Sequence, residues 1–172
     1  MALTDVLTGL ANIAVSVGVD GLLSEDDDDI LTDGDGDILI FVISEPATVP
    51  VQDAYTKPMT RVRNAQFRYL LPLSQTRSTS EKRTLGSGMT IRYDIEDVYI
   101  YRSVNEGSGF EGAMTGLLAY MTAYDAVIFD AKPTTASRIL TVRMLPSVIT
   151  YPTGSATQYF GVRCELAIEE YA

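Results

Sequence analysis

Histidine is absent from the 172 residues, Cys164 is the lone cysteine, and the first 56 residues carry neither lysine nor arginine. Each absence removes a class of chemistry. Without histidine there can be no Ser-His-Asp or Cys-His nucleophile pair, no HExxH metalloprotease, and no side chain that ordinarily titrates near neutrality. One cysteine cannot form an internal disulfide framework or a cysteine-rich zinc site. No uncharged apolar run approaches the roughly 18–20 residues that span a bilayer. The N-terminus has no basic start or cleavage site of the secretory kind, so a soluble cytosolic product without membrane contact is expected. Carboxylate- or lysine-based chemistry stays possible in principle.

What is present is ordinary in amount and uneven in distribution. The chain is 46% hydrophobic and 21% charged, the composition of a folded soluble domain, and its length suits one domain over residues 1–172. The net charge is −10, yet residues 1–56 carry −12, residues 57–92 carry +7 and the remainder −5. Such polarity lets one subunit's acidic edge meet a neighbour's basic edge. A solvated acidic loop beside a solvated basic hairpin is the plainer alternative.

Leu3, Val6, Leu7, Leu10, Ile13, Ala14 and Val17 follow helical spacing and predict a helix over about residues 3–17, ended by Gly18 and Gly21. Nine of the eighteen residues from Asp20 to Asp37 are acidic, which predicts an exposed acidic loop over 20–37. The β-branched run Ile38–Ile43 reads as a strand covered on both faces and is the candidate central strand. Pro46, Pro50 and Pro58 mark a surface excursion over 45–60. Ala65, Phe67, Tyr69, Leu71 and Leu73 alternate with Asn64, Gln66 and Arg68, a half-buried strand. A hairpin loop over 74–88 with a basic tip then leads into a strand from Met89, whose apolar parity switches near Asp97 as a β-bulge would cause.

Phe110, Met114, Leu117, Leu118, Met121, Tyr124 and Ile128 define a second amphipathic helix. Two strands close the chain, Arg138 to Ile149 and Tyr159 to Tyr171, around a Tyr-Pro-Thr-Gly turn. The expected fold is α+β: a mainly antiparallel mixed sheet, two amphipathic helices packed on one face, and a long β-hairpin arm.

No motif carries catalysis or a cofactor. Asp33, Asp35 and Asp37 alternate with glycines like the start of a calcium loop, but the glycine and bidentate glutamate of an EF-hand would fall at Ile38 and Ser44. Gly86-Ser87-Gly88 precedes a strand and lacks a Walker lysine, so it reads as a turn. Asp94, Glu96 and Asp97 could form an acid/base set, yet solvated carboxylates on the polar face of a strand are commonplace. Cys164 falls on an apolar face and reads as a small buried hydrophobe. The basic hairpin has no aromatics interleaved from Arg77 to Arg83, which favours a protein contact over nucleic-acid binding. The candidate interface residues are therefore the acidic Asp26, Asp27, Asp28, Asp29, Asp33, Asp35 and Asp37 and the basic Arg77, Lys82 and Arg83.

The N-terminal helix, the helix over Gly112–Asp130 and the C-terminal hairpin of Ile139–Arg143 and Tyr159–Tyr171 have a familiar order. The chain resembles the tail terminator proteins of long-tailed bacteriophages. Its departures from that pattern are the Asp-rich insert at 20–37 and the excursion at 45–60. The resemblance implies a virion structural protein of the tail or neck, forming a homo-oligomeric ring, hexameric in the family, that ends tail polymerisation. Its implied partners are the major tail tube protein and a head-completion or connector protein, with DNA passing through the lumen unbound. No reaction and no cofactor are implied. A head-tail connector or stopper, and a divalent-metal-binding protein using the Asp-rich loop, are the alternatives.

Overall fold

A computed structural model describes residues 3–17, 20–21, 24–25, 29–30, 42–43, 47–52, 66–79, 88–105, 109–151 and 157–171. Among these the chain is α+β, with two helices and a four-stranded antiparallel sheet extended by one short parallel strand. The elements are α1 (Leu3–Ala11), then two-residue strands β1 (Ser16–Val17), β2 (Asp20–Gly21), β3 (Ser24–Glu25), β4 (Asp29–Ile30), β5 (Val42–Ile43), β6 (Ala47–Thr48) and β7 (Val51–Gln52). The long elements follow: β8 (Phe67–Thr79), β9 (Met89–Ser103), α2 (Gly109–Ile128), β10 (Ser137–Thr150) and β11 (Gln158–Tyr171). The main sheet runs β10-β11-β9-β8-β7, and only β7 joins in parallel.

α1 ends at Ala11, earlier than its apolar spacing predicts, and residues 16–17 already form β1, paired with β6. The cause lies in the residue types. Ile13, Val15 and Val17 are β-branched and also alternate, so once the turn at Asn12 opens the chain, strand geometry suits them better than helix. Val15 is buried after the switch. Gly9 sits where a Cβ would overlap the carbonyl oxygen of Pro133, so its missing side chain lets α1 lie directly on that backbone.

The candidate central strand is corrected. Residues 38–41 lie outside the described residues, and among the described residues Val42–Ile43 pair with β2 in a separate two-stranded ladder. The central strand is β9, bonded to β8 on one side and β11 on the other. Short strands at 20–21, 24–25 and 29–30 also replace part of the expected acidic loop. Strand structure continues to Thr79, so Ser74 to Thr79 belong to β8 and not to a loop.

The bulge expected near Asp97 is absent, because Asp97 is paired in unbroken register with Leu70 on one side and Cys164 on the other. The extra residues fall instead at Leu73 in β8, Tyr101 in β9 and Leu140 in β10. The apparent parity switch has another origin. Ile91, Tyr93, Ile95 and Tyr99 share the large core, while Val98 and Ile100 enter a second cluster with Phe67, Tyr69, Ile149, Tyr151 and Tyr159. That half of β9 is thus buried on both faces, and a strand covered twice loses its polar alternation. At the Tyr101 bulge the backbones close up, for a Cβ on Gly161 would overlap the Tyr99 carbonyl oxygen.

The large core joins Val6 and Leu10 of α1 with Ala113, Leu117, Tyr120, Tyr124 and Ile128 of α2 and with strand residues including Cys164 and Leu166. The buried stripe of α2 is rotated from the predicted one: Leu118 is 51% exposed, while Tyr120 is fully buried and stacks on Tyr99 at 3.8 Å between ring centres. No helix among the described residues is long and apolar enough to cross a membrane.

Candidate functional site

α1 has only nine residues and no basic side chain in its last turn; the Asn12 and Ile13 amides close that turn on the Thr8 and Leu10 carbonyls. Arg68 of β8 adds a cation there. Opposite Tyr99 in the β8–β9 register, it donates from Nη1 to the Ile13 carbonyl at 3.0 Å and from Nη2 to the Leu10 carbonyl. Its Nε lies 3.5 Å from Asp97 Oδ2, with the two side chains 1% and 0% exposed. The Tyr124 hydroxyl of α2 donates to the same Oδ2 at 3.0 Å. Arg68 therefore joins α1 to the sheet, and Asp97 joins the sheet to α2.

The cluster is not fully satisfied. Arg68 Nε, Asp97 Oδ1 and the Tyr120 hydroxyl are buried without a hydrogen-bond partner. Burial pushes the Asp97 carboxyl up to about 6, although Arg68 and the Tyr124 hydroxyl both pull it down. Burial first, then the nearby Asp97, raise the Tyr120 and Tyr124 hydroxyls well above the usual phenol range. The Cys164 thiol, opposite Asp97 on β11, is likewise raised by burial and stays protonated. A buried neutral thiol beside phenols that hold their protons offers no activated nucleophile. The arrangement can hold helices in place, and it can gain or lose one proton.

A second buried carboxylate fastens the end of the sheet. Glu170 accepts from the Tyr93 hydroxyl at 2.9 Å and from Thr134 Oγ1 at 3.3 Å. The Ser137 hydroxyl accepts the Thr134 amide at 2.8 Å and so closes the α2–β10 turn. Burial, then the bond to Glu170, push the Tyr93 hydroxyl up to about 12.

The opposite face of the sheet carries a different pattern. Arg92 meets Asp94 at 3.1 Å, Arg138 meets Glu169 at 2.6 Å, Arg143 meets Glu165 at 3.4 Å and Arg163 meets Glu96 at 3.3 Å. Ser74 donates to Asp94, and that bond leads the causes holding Asp94 below the usual carboxylate range. The three carboxylates weighed as an acid/base set are therefore split: Asp94 and Glu96 pair with arginines, while Asp97 is buried and bonded to Tyr124 of α2.

Of the predicted interface residues, Asp26, Asp27, Asp28, Asp33, Asp35, Asp37, Lys82 and Arg83 lie outside the described residues. Asp29 falls in β4, its backbone opposite Glu25. Arg77 stands exposed on β8 opposite Ile91, on the strand and not at the hairpin tip. Two further bases of the basic stretch are engaged within the subunit, Arg68 in the core and Arg92 with Asp94. No group of three or more metal-capable side chains occurs among the described residues. Arg68 escaped sequence reasoning because it alternates with apolar neighbours like any surface base. The available signal was the helix before it, which lacks a cation of its own. No protein-family model and no curated protein matches the chain.

Proposed function

We propose that the chain is a structural subunit of a bacteriophage tail, assembling into a ring that caps the tail tube and presents the surface on which the head docks. The order of the long elements supports this reading: a helix, a long hairpin, a second helix and a closing long hairpin, the N-terminal helix, second helix and C-terminal hairpin being the elements on which the resemblance rests. On this reading both helices form one layer on one sheet face, which fits the single core shared by their buried residues. The β8–β9 hairpin serves as an arm, with Arg77, Lys82 and Arg83 turned to a neighbouring subunit or the tube. The aspartates from Asp26 to Asp37 lie at a ring interface or near the lumen, where negative walls let DNA slide because they do not bind phosphate. The chain performs no reaction in this role.

The buried polar groups support a mechanical part, since each described cluster ties elements together. Exposed apolar side chains, among them Leu118, Phe129 and Val148, offer the surface that assembly buries. The four ion pairs of the outer face are already satisfied within the subunit, so apolar contact supplies affinity and the unpaired charges choose register.

Electron microscopy of tail tubes polymerised with and without the chain tests the proposal. Tubes of limited length with a disc at one end support it. Tubes that grow without limit and carry no added density contradict it, and density only on an isolated portal or neck would favour the connector alternative.

A further inference from the structure

We propose that the seating of α1 is proton-linked: the Arg68–Asp97 cluster closes more tightly over protonated Asp97 than over its carboxylate, so mild acid locks the N-terminal helix and higher pH loosens it. The inference rests on the buried cluster and is independent of the tail-capping reading.

The geometry places a single carboxyl at the junction of four elements. From β8 it is faced by Arg68, from α2 by Tyr124 and Tyr120, and from β11 by Cys164; its own strand adds Tyr99 two residues along. Glu96, the adjacent carboxylate, bonds Arg163 on the other face. α1 contributes no titratable group to the cluster, only the Leu10 carbonyl, which with the Ile13 carbonyl of the turn after it holds Arg68. The arginine is thus divided between two acceptor sets. Its terminal nitrogens are committed to the end of α1 and the turn that follows it, and Nε faces Asp97 at 3.5 Å without a hydrogen bond.

Ionised Asp97 is therefore only half served, with Oδ2 held by Tyr124 and Oδ1 buried without a donor. A buried unsatisfied carboxylate oxygen is costly, and a proton removes that cost. A proton on Oδ1 also turns it into a donor within a cluster where the Tyr120 hydroxyl still lacks a partner. Lifting α1 removes the acceptors of Arg68 and admits water to the pair. Its carboxyl then returns towards the ordinary range, so the closed form binds the proton more tightly than the open one. By linkage, deprotonation must favour opening. With 3.8 in the open form and about 6 in the closed form, the opening constant grows by roughly sixtyfold between pH 4 and pH 8. The chain has no histidine, the side chain that ordinarily titrates near pH 6.

The test is hydrogen exchange of the full chain from pH 4.5 to 8, corrected for intrinsic exchange, alongside carbon-detected NMR titration of the Asp97 carboxyl. The expected result is α1 amides that lose protection as pH rises, with a midpoint near that of Asp97. Asp97→Asn should remove the dependence. Tyr124→Phe, which keeps the ring and deletes the hydrogen bond, should move both midpoints upward together, and it decides the matter if Asp97→Asn does not fold. α1 protection that is flat across this range, an Asp97 titration near 4, or midpoints unmoved in Tyr124→Phe would overturn the proposal.

Discussion

Two arginine–carboxylate pairs join neighbouring strands of the same sheet, and the one with the longer separation matters more. Arg138 and Glu169 approach to 2.6 Å on the outer face, with Tyr171 donating to the same carboxylate oxygen, yet the arginine side chain is 60% exposed. Arg68 and Asp97 stand 3.5 Å apart, sealed from solvent and bonded onward to α1 and α2. Water screens the outer pair and replaces either partner at little cost, whereas inside the core an abandoned charge has nothing to turn to. Burial and onward connections, more than distance, decide what such a pair contributes.

The largest effect should come from Arg68→Met. It strands Asp97 and removes the donors to α1, and at pH 8 it should cost about 3–5 kcal/mol in a urea titration, the range for breaking a buried pair. Removing Leu117 from the shared core, as Leu117→Ala, should cost about 2–5 kcal/mol without changing the pH profile. Gly9→Ala drives a methyl into the Pro133 carbonyl and should cost about 1–3 kcal/mol by overpacking, with α1 amides losing protection first. Arg138→Ala should leave the urea midpoint where it is.

The two faces should also answer acid in opposite ways. Asp97 has its carboxyl raised in the fold, so its stabilising share is complete below 3.8 and is lost as pH rises through about 6, a fall of up to about 3 kcal/mol. Asp94 and Glu169 are held low, by the Ser74 hydroxyl and the Tyr171 hydroxyl first, so their share is present above the ordinary carboxylate range and lost as pH falls below it. A urea midpoint followed from pH 3 to 8 should peak between these windows. A midpoint rising steadily to pH 8 would show that the outer face governs, contrary to this comparison.

The sequence was legible where one face of an element met water. Alternation located β10 and β11 to within about a residue, and helical spacing located α2. It misled where both faces are covered. Val98 and Ile100 imitated a bulge because they fill a second cluster, and Arg68 passed for a surface base because a pattern cannot show what lies over it. The apolar, β-branched run Ile38–Ile43 reads as the sheet centre from its composition and flanks, while long-range register gives that place to β9. Hairpin register depends on partners far along the chain, and Leu118, placed in the buried stripe of α2, is outside it by one step of helical rotation. The charge polarity remains the best guide to the acidic and basic segments, most of whose candidate residues lie outside the described residues.

Native mass spectrometry of the full chain, alone and with the major tail tube protein, tests the assembly claim most directly. The account predicts a closed ring of six subunits, formed alone or on the tube end and weakened by Leu118→Asp. A monomer under both conditions, with no mass added by the tube protein, would contradict it.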